Sequence, residues 1–307
     1  MKICSLLPSG TEILFALGLG DQVVGVSDLC DFPPEANGRQ IVSHSLLDTR
    51  TLSSVQIEAQ LQSFLRDRKS PYQLDIALLR EIRPELILTQ DTCFVCDVDA
   101  KEVKSALSGI HPAPRILVLG PKTISQILDT FVETARAAGA PESGVQLANA
   151  FRDRLARVAA GLKRERKRPR VMSIEGTNPL VAGGNWLPEM KSLAGGVDEL
   201  FQPGCAAQRL CWESIRDYDP DVLLITPCSS DPARSFRELD NIFPPDGWAQ
   251  MTAVRTRSVY IIDHVYFSRP GPRIAQGVEI LAQILHPQLF QGMIPPGATI
   301  RVRPPLR

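Results

Sequence analysis

The longest helical pattern in this chain lies between Pro141 and Arg170. Its apolar side chains recur every three or four residues, as on one face of an α-helix: Leu147, Phe151, Leu155, Val158 and Leu162. Pro141 suits the first turn of a helix, because its missing N–H would have no partner there. A helix over 142–167 would span roughly 39 Å at 1.5 Å per residue, which is longer than a small domain is wide. The pattern therefore predicts a long connecting helix.

The segments on the two sides of this helix repeat one arrangement. In 79–89 and again in 215–226, the end of a helix leads to a proline–acid pair and then to a buried strand. The pairs are Pro84-Glu85 and Pro220-Asp221. Another strand and an amphipathic helix follow in each half. This repetition predicts two Rossmann-like α/β lobes joined by one long rigid helix, with the ligand in the cleft between the lobes.

The predicted boundaries follow from these patterns. The N-terminal lobe takes 1–140, the connecting helix 141–168 and the C-terminal lobe 169–290. Residues 291–307 are rich in proline and have few apolar side chains, so we expect them to be disordered.

Candidate ligand contacts come from the carboxyl ends of the predicted strands, where open α/β sheets usually bind ligands. Ser9 and Glu12 have the spacing of a capping box after the first strand, and that helix start either is simply capped or also lines the cleft. The tryptophan in the glycine-rich loop 182–188 either contacts ligand or covers the core. The candidates from these ends are Ser9, Gly10, Leu29, Gln90, Asp91, Glu175, Asn185, Trp186, Tyr266, Phe267 and Arg269.

Four further side chains are candidates for metal or redox chemistry. Cys93 and Cys96 form one Cys-x-x-Cys pair, and a tetrahedral zinc site would need two more ligands from elsewhere. The pair can equally be reduced thiols that pack in a loop, or a redox dithiol. His44 and His264 each follow a predicted strand, and either could coordinate the metal of a bound macrocycle or be an ordinary hydrogen-bonded histidine.

Composition limits the classes of function. Lys plus Arg and Asp plus Glu both number 34, so the formal net charge is zero, which argues against a dedicated nucleic-acid binder. No apolar run approaches the roughly 20 residues that cross a bilayer, so we expect no membrane insertion. The first residues do not resemble a signal peptide, and an odd number of cysteines suits a reducing compartment. These features predict a cytoplasmic protein, and we expect a monomer.

The chain lacks the common catalytic and nucleotide-binding motifs. It has no Gly-x-Gly-x-x-Gly after a strand, no Walker loop, no Gly-x-Ser-x-Gly and no His-Glu-x-x-His. We therefore predict that it is not an enzyme and requires no cofactor.

Several segments, in their order along the chain, resemble one protein family. They are Ser5–Glu12, the turn Asp31–Pro34, the long helix, and Ser268–Arg273. Over about residues 2–288 the chain is similar to the iron-siderophore and vitamin B12 substrate-binding proteins of ABC importers. Within them it looks like the group called cobalamin-binding proteins, which carry a Cys-x-x-Cys loop. The resemblance implies the helical-backbone (class III) periplasmic-binding-protein fold and a corrinoid ligand such as cobalamin.

The resemblance also bears on the ligand contacts. In the vitamin B12 binder of this family, aromatic side chains of both lobes sandwich the corrin. At four of those places this chain carries other residues, which are Leu29, Ser45, Gln90 and Glu175. A ferric siderophore or haem is the alternative ligand, with Arg269 and Arg273 holding its anionic groups. A second alternative is a cytosolic enzyme or corrinoid-handling factor that uses the Cys93–Cys96 pair.

A partner is implied as well. Family members place one acid on each lobe, ahead of the proline–acid turn, to meet arginines of an ABC permease. Glu213 stands seven residues before Pro220, whereas Ala77 stands seven before Pro84 and Asp75 is the nearest acid. Glu213 is thus the candidate docking residue, while Ala77 and the absent export signal weigh against delivery to a permease.

Overall fold

The computed structural model describes residues 1–49, 51–67, 69–90, 100–109, 111–228, 230–242 and 246–302. The chain divides into two compact units. Unit 1 comprises Met1–Thr51, Ala59–Pro121 and Ser125–Phe151, and unit 2 comprises Leu52–Glu58, Lys122–Ile124 and Arg152–Arg307. Each unit holds one six-stranded sheet with helices, which confirms the predicted α/β fold class.

The helices follow in chain order. They are α1 Pro8–Ala16, α2 Ser54–Asp67, α3 Ile76–Ile82, α4 Ala100–Ala106, α5 Ile124–Ala137, α6 Pro141–Leu162, α7 Leu187–Leu193, α8 Trp212–Tyr218, α9 Pro232–Ile242, α10 Thr252–Arg255 and α11 Ile274–Leu285.

The sheet of unit 1 has the order β4-β3-β2-β1-β5-β6. Its strands are β1 Ile3–Ser5, β2 Val23–Ser27, β3 Gln40–Ser45, β4 Tyr72–Leu74, β5 Leu86–Gln90 and β6 Arg115–Leu119. All neighbours run parallel except β3 and β4. The chain leaves β1 towards β2 on one side and later returns to β5 on the other. The carboxyl ends of β1 and β5 therefore form the switch point at which such sheets bind ligands.

The sheet of unit 2 has the order β12-β11-β10-β7-β8-β9. Its strands are β7 Val171–Thr177, β8 Leu180–Ala182, β9 Gln208–Arg209, β10 Val222–Ile225, β11 Val259–Ile262 and β12 Thr299–Arg301. The strands β7, β10 and β11 are parallel, and β8, β9 and β12 add antiparallel edges. Here the switch point lies between β7 and β10.

The repeated proline–acid turn forms the same hydrogen bonds in both units. In unit 1, the Lys2 backbone N–H donates to Glu85 Oε1 at 2.8 Å, and the Glu85 N–H donates to the Lys2 carbonyl at 2.8 Å. In unit 2, the Arg170 N–H donates to Asp221 Oδ2 at 2.8 Å, and the Asp221 N–H donates to the Arg170 carbonyl at 2.9 Å. The acid thus fixes the chain that enters the first strand of each unit, which explains why the sequence repeats it.

The start of α1 differs from the predicted capping box. The helix begins at Pro8 with Leu7 as its N-cap, and no side chain caps it. Ser9 and Glu12 are both buried inside the helix. Proline favours the first helical position, because the N–H it lacks would have no partner there, so the helix begins at Pro8 and Ser9 falls inside its first turn.

Two boundaries near the ends of predicted elements also differ. Helix α6 ends at Leu162 rather than near 167, because the following run of charged residues up to Arg168 has no apolar side chain to bury. The region predicted to be disordered from residue 291 contains β12, which pairs antiparallel with β11. Val302 is buried and its N–H donates to the Val259 carbonyl at 2.9 Å, so strand pairing and this buried side chain hold the segment.

Candidate ligand-binding site

In unit 1 the predicted contacts Ser9, Gly10 and Gln90 come together at the switch point. Ser9 and Gly10 lie in the first turn of α1, directly after β1, and Gln90 is the last residue of β5. All three are buried. A Cβ on Gly10 would lie 2.9 Å from Leu7 Cδ2 and 3.0 Å from Ser5 Oγ, so close packing against β1 requires glycine there. Gly10 and Ser9 thus shape this end of the sheet.

A second group in unit 1 forms around Asp28, after β2. The Asp28 carboxylate accepts the Ser45 N–H at 3.1 and 3.0 Å, and its Oδ2 lies 4.0 Å from His44 Nδ1. His44 lies within β3 rather than after it, and about half of its side chain is exposed. Leu29 packs partly against the core of this unit. The loop after β2 is therefore fixed to the end of β3 by a carboxylate that the sequence analysis did not single out.

Asp91, Cys93 and Cys96 lie outside the described residues. The structure therefore leaves their predicted roles as predictions. Among the described residues, no three His, Cys, Asp or Glu side chains are grouped as a metal site.

In unit 2, Glu175 is held by the glycine-rich loop. It lies within β7, which continues to Thr177, and its Oε1 accepts the Gly184 N–H at 2.7 Å. Burial raises the pKa of the Glu175 carboxyl, while the Gly184 hydrogen bond and the charge of Lys191 act in the opposite direction. A Cβ on Gly184 would lie 2.5 Å from Glu175 Oε2. The carboxyl therefore fixes this loop as well as standing at the end of β7.

Trp186 and Phe267, two of the candidate ligand contacts, are buried in unit 2, and for Trp186 this matches the alternative that it covers the core. Trp186 is 6% exposed and Phe267 is 2% exposed. The Trp186 Nε1–H donates to the Phe267 carbonyl at 2.7 Å, so this long-range bond ties the start of α7 to the segment after β11. A buried indole that has found a carbonyl partner satisfies both its apolar and its polar atoms. Neither ring is available to cover a ligand face in this structure.

Tyr266 is a partly exposed aromatic residue beside Arg273. The Arg273 guanidinium lies 6.0 Å from the centre of the Tyr266 ring. Asp263, which directly follows β11, caps the short 3₁₀ turn His264–Tyr266 by accepting the Val265 N–H at 3.1 Å. Burial raises the pKa of the Asp263 carboxyl, and the charges of Arg273 and Arg269 oppose that rise. This segment therefore brings a phenol, a carboxyl and two guanidiniums together.

Cys228 lies at the candidate site, and the sequence analysis did not single it out. Its N–H donates to the Glu175 carbonyl at 3.1 Å, and its Sγ donates to Ser268 Oγ at 3.5 Å. It therefore connects the ends of β7 and β10 with the segment that carries Arg269. The signal was present, because Cys228 comes three residues after a buried strand, as Cys93 comes three after Gln90.

The predicted contact Asn185 belongs to the same end of unit 2. It has a left-handed backbone with φ 46°, its N–H donates to the Cys205 carbonyl at 2.7 Å, and its carbonyl accepts the Gly204 N–H at 2.9 Å. The ends of β7, β10 and β11 in unit 2 thus assemble Glu175, Asn185, Cys228, Asp263, Tyr266, Ser268, Arg269 and Arg273, and we call this set the strand-end surface. It offers hydrogen-bonding groups of both kinds together with positive charge.

The candidate docking residues lie at equivalent places in the two units. Glu213 is exposed in the first turn of α8, and its own backbone N–H is the main reason that its pKa lies below the usual range. Ala77 is exposed in the first turn of α3, and Asp75 caps that helix by accepting the Leu78 N–H at 2.8 Å. Asp75 is therefore engaged in its own helix.

Known proteins match this chain over most of its length. An ABC transporter substrate-binding lipoprotein of Bacillus subtilis, YvrC, is 25% identical over 94% of this chain and 81% of its own. The solved structure of the periplasmic vitamin B12 binding protein BtuF of Vibrio cholerae has a TM-score of 0.67 and 22% identity, over 94% of this chain and 98% of its own. The periplasmic heme-binding protein RhuT from Roseiflexus has a TM-score of 0.69 and 21% identity, over 93% and 98%. These structures show the fold that the resemblance implied.

The same findings overturn the predicted cytoplasmic location. The similar proteins are a lipoprotein and periplasmic proteins, so the prediction was wrong. The prediction rested on the first residues and on the number of cysteines, and neither feature indicates in which compartment the related proteins work. None of the helices in the described ranges combines the length and apolar character that crossing a bilayer requires.

The family model for periplasmic binding proteins matches residues 3–266, which include all but one of the strands of both sheets and most of the strand-end surface. The chain therefore belongs to the periplasmic binding protein family.

Proposed function

We propose that this protein binds a corrinoid, cobalamin or a related compound, as the ligand-binding component of an ABC importer outside the cytoplasmic membrane. The observation that carries the proposal is the match to a vitamin B12-binding protein of Vibrio cholerae, which is 23% identical over 91% of this chain and 86% of its own. A match of that extent covers both units, including the strand ends in each. The proposal assigns binding without catalysis, and the corrinoid is the ligand rather than a cofactor.

The strand-end surface supports this ligand class through its polar groups. A corrinoid carries amide side chains around its ring, and Glu175 and Asn185 would hydrogen-bond to amides. Tyr266 would cover part of the ring, since it is a partly exposed aromatic residue beside Arg273. Because Trp186 and Phe267 are buried, the proposed contacts rely on hydrogen bonds more than on stacking.

Haem or an anionic ferric siderophore is the second candidate. The charges of Arg269 and Arg273 both oppose the rise in the pKa of the Asp263 carboxyl, so both guanidiniums lie near that carboxyl. Guanidinium groups bind carboxylates through paired, charge-assisted hydrogen bonds, and haem carries two carboxylates. The match to the heme-binding protein RhuT is as extensive as the match to BtuF.

We further propose that a permease docks at Glu213 and at an equivalent surface of α3. Glu213 is exposed and ionised more readily than usual, as an ion-pair partner of a permease arginine needs to be. Ala77, at the equivalent place on α3, has no charge to pair with a permease arginine, so other side chains of that surface would make the contact. Substitution of Glu213 by glutamine should weaken binding to the cognate permease in a pull-down from detergent, with Asp217→Asn on the same helix as the control.

Ligand class is tested by thermal-shift titration with cyanocobalamin, cobinamide, haemin and ferric siderophores. A ligand that binds only the native state, at 100 times its dissociation constant, adds about 2.7 kcal/mol to the free energy of unfolding. Arg269→Ala separates the candidates, because it should weaken anionic haem strongly and neutral cyanocobalamin little. Arg166→Ala is the matched control, since Arg166 is exposed and precedes the amino end of β7.

A further inference from the structure

The segment Leu52–Glu58 belongs to unit 2 although it lies early in the chain. At its beginning, Arg234 Nη2 donates to the Leu52 carbonyl at 2.6 Å, and Arg234 Nε donates to Glu238 Oε1 at 3.0 Å. The Ser54 hydroxyl donates to Glu238 Oε2. The side chains of Arg234 and Glu238 are only 11% and 12% exposed, so water screens this contact little.

A second, more exposed contact holds the other end of the segment. Arg209 Nη2 donates to Glu58 Oε1 at 2.8 Å. Arg209 is paired with Val181 on β8, and Val181 is paired with Gly176 on β7. Since β7 ends at Thr177, this contact lies level with the carboxyl end of β7.

The first contact lies at the same edge of the sheet. Arg234 is in the first turn of α9, the next helix after β10, and its N–H donates to Asp231 Oδ1 at 2.8 Å. The charge of Asp231 in turn acts on Asp263 of the strand-end surface. The two contacts therefore hold Leu52–Glu58 along the edge of unit 2 at which we propose that the ligand binds.

Polar contacts, rather than apolar burial, hold this segment. None of its seven residues is buried, and Val55 is 55% exposed. Its first turn also carries its own capping box, because the Ser53 N–H donates to Gln56 Oε1 at 2.9 Å and the Gln56 N–H donates to Ser53 Oγ at 3.4 Å. The segment could therefore leave its place without exposing a core and without losing its helix start.

We propose that Leu52–Glu58 is a strap, held on unit 2 by Arg234, Glu238 and Arg209, and that its release controls access to the strand-end surface. The control of access rests on the proposed function, whereas the holding of the strap does not. Breaking the strap contacts should expose the strap and speed both the entry and the exit of ligand.

Hydrogen exchange measured by mass spectrometry tests the strap without any ligand. Glu238→Ala should speed exchange of the amides in 53–58 by about tenfold or more, because it removes two charged hydrogen bonds from a site with little water. Arg209→Ala should speed it by about twofold, since exposed ion pairs contribute little. Val55→Ala is the matched control within the strap, and exchange in α11 should stay unchanged in all three variants. Equal exchange of 53–58 in Glu238→Ala and Val55→Ala would overturn the proposal.

Two further measurements keep the proposal testable if Glu238→Ala folds poorly. In the wild-type protein, exchange of 53–58 should rise with sodium chloride while that of α11 does not, because salt screens the Arg209–Glu58 contact. Stopped-flow dissociation of cyanocobalamin or haemin should be faster in Arg209→Ala than in Val55→Ala, and equal rates would overturn the control of access. If neither probe binds the wild-type protein, the proposed function fails and the control of access fails with it, while the exchange result still decides whether the strap is held.

Discussion

The buried ion pair between Lys191 and Asp198 should make unit 2 sensitive to the loss of either charge alone. Lys191 Nζ lies 2.5 Å from Asp198 Oδ2, and the two side chains are 1% and 2% exposed. Asp198 Oδ1 also accepts the N–H groups of Leu200 and Phe201 at 3.1 and 3.2 Å. Substitution of Lys191 by methionine would keep most of the apolar volume but leave the Asp198 charge buried with no cation beside it. Breaking one side of such a pair costs about 3–5 kcal/mol.

The assay is urea unfolding followed by tryptophan fluorescence. All three tryptophans of the chain, Trp186, Trp212 and Trp248, belong to unit 2, so the signal reports on that unit. With a slope of about 1–3 kcal/mol per molar urea, a loss of 3 kcal/mol lowers the midpoint by roughly 1–3 M. Lys163→Met is the control, because Lys163 is exposed just after α6.

The paired substitution separates charge from packing. Lys191→Met together with Asp198→Asn removes both charges and keeps an acceptor for the two N–H groups, so it should recover most of the loss. A loss below about 1 kcal/mol in Lys191→Met alone would refute the reasoning, because a truly buried carboxylate without a cation cannot cost so little. Equal losses in the single and double variants would assign the effect to packing instead.

Three further predictions concern single positions. Burial raises the pKa of Glu175 in the folded state, so the contribution of Glu175 to stability is present at low pH and is lost as the pH rises through the folded-state pKa. In urea titrations between pH 4 and 8, Glu175→Gln should therefore flatten the decline in stability with rising pH. A pH profile equal to that of the wild-type protein would argue against a raised pKa of Glu175. Arg83 has a left-handed backbone with φ 50° at the end of α3, so Arg83→Gly should raise the melting temperature by relieving about 1 kcal/mol of strain, whereas Arg80→Gly inside the helix should lower it. Asp221→Ala should cost about 1–3 kcal/mol in urea unfolding, because it leaves the partly buried Arg170 N–H without its side-chain acceptor. Glu85→Ala in unit 1 should cost less by circular dichroism, because the Lys2 N–H is exposed and water can replace the carboxylate.

The fold could be predicted because its strongest signals are local. Buried strands such as 222–225 read as short apolar runs, and the proline–acid pairs at Pro84 and Pro220 mark the turn before two of them. The hydrogen bonds of Glu85 and Asp221 show that these pairs are structural and equivalent. The local sequence pattern did not predict β12, because this strand is ordered by pairing with β11, which lies far from the pattern's window.

The sequence indicated where in the fold the candidate site lies, but not which of its side chains are exposed. The strand-end rule led to Glu175 and Arg269, which lie at one edge of unit 2 in the structure, but it could not tell whether an aromatic ring is exposed or buried. Trp186 is buried because its N–H reaches a carbonyl 81 residues away, and no sequence pattern encodes that bond. Cys228 was missed because the rule was not applied to the end of β10.

The ligand is the central claim, and isothermal titration of the purified protein with cyanocobalamin tests it most directly, with haemin and a ferric siderophore titrated in parallel. The account predicts one-to-one binding of cyanocobalamin that Glu175→Ala weakens and Arg166→Ala does not. Absence of heat with cyanocobalamin, together with saturable haemin binding that Arg269→Ala abolishes, would contradict the corrinoid assignment and establish the anionic macrocycle in its place.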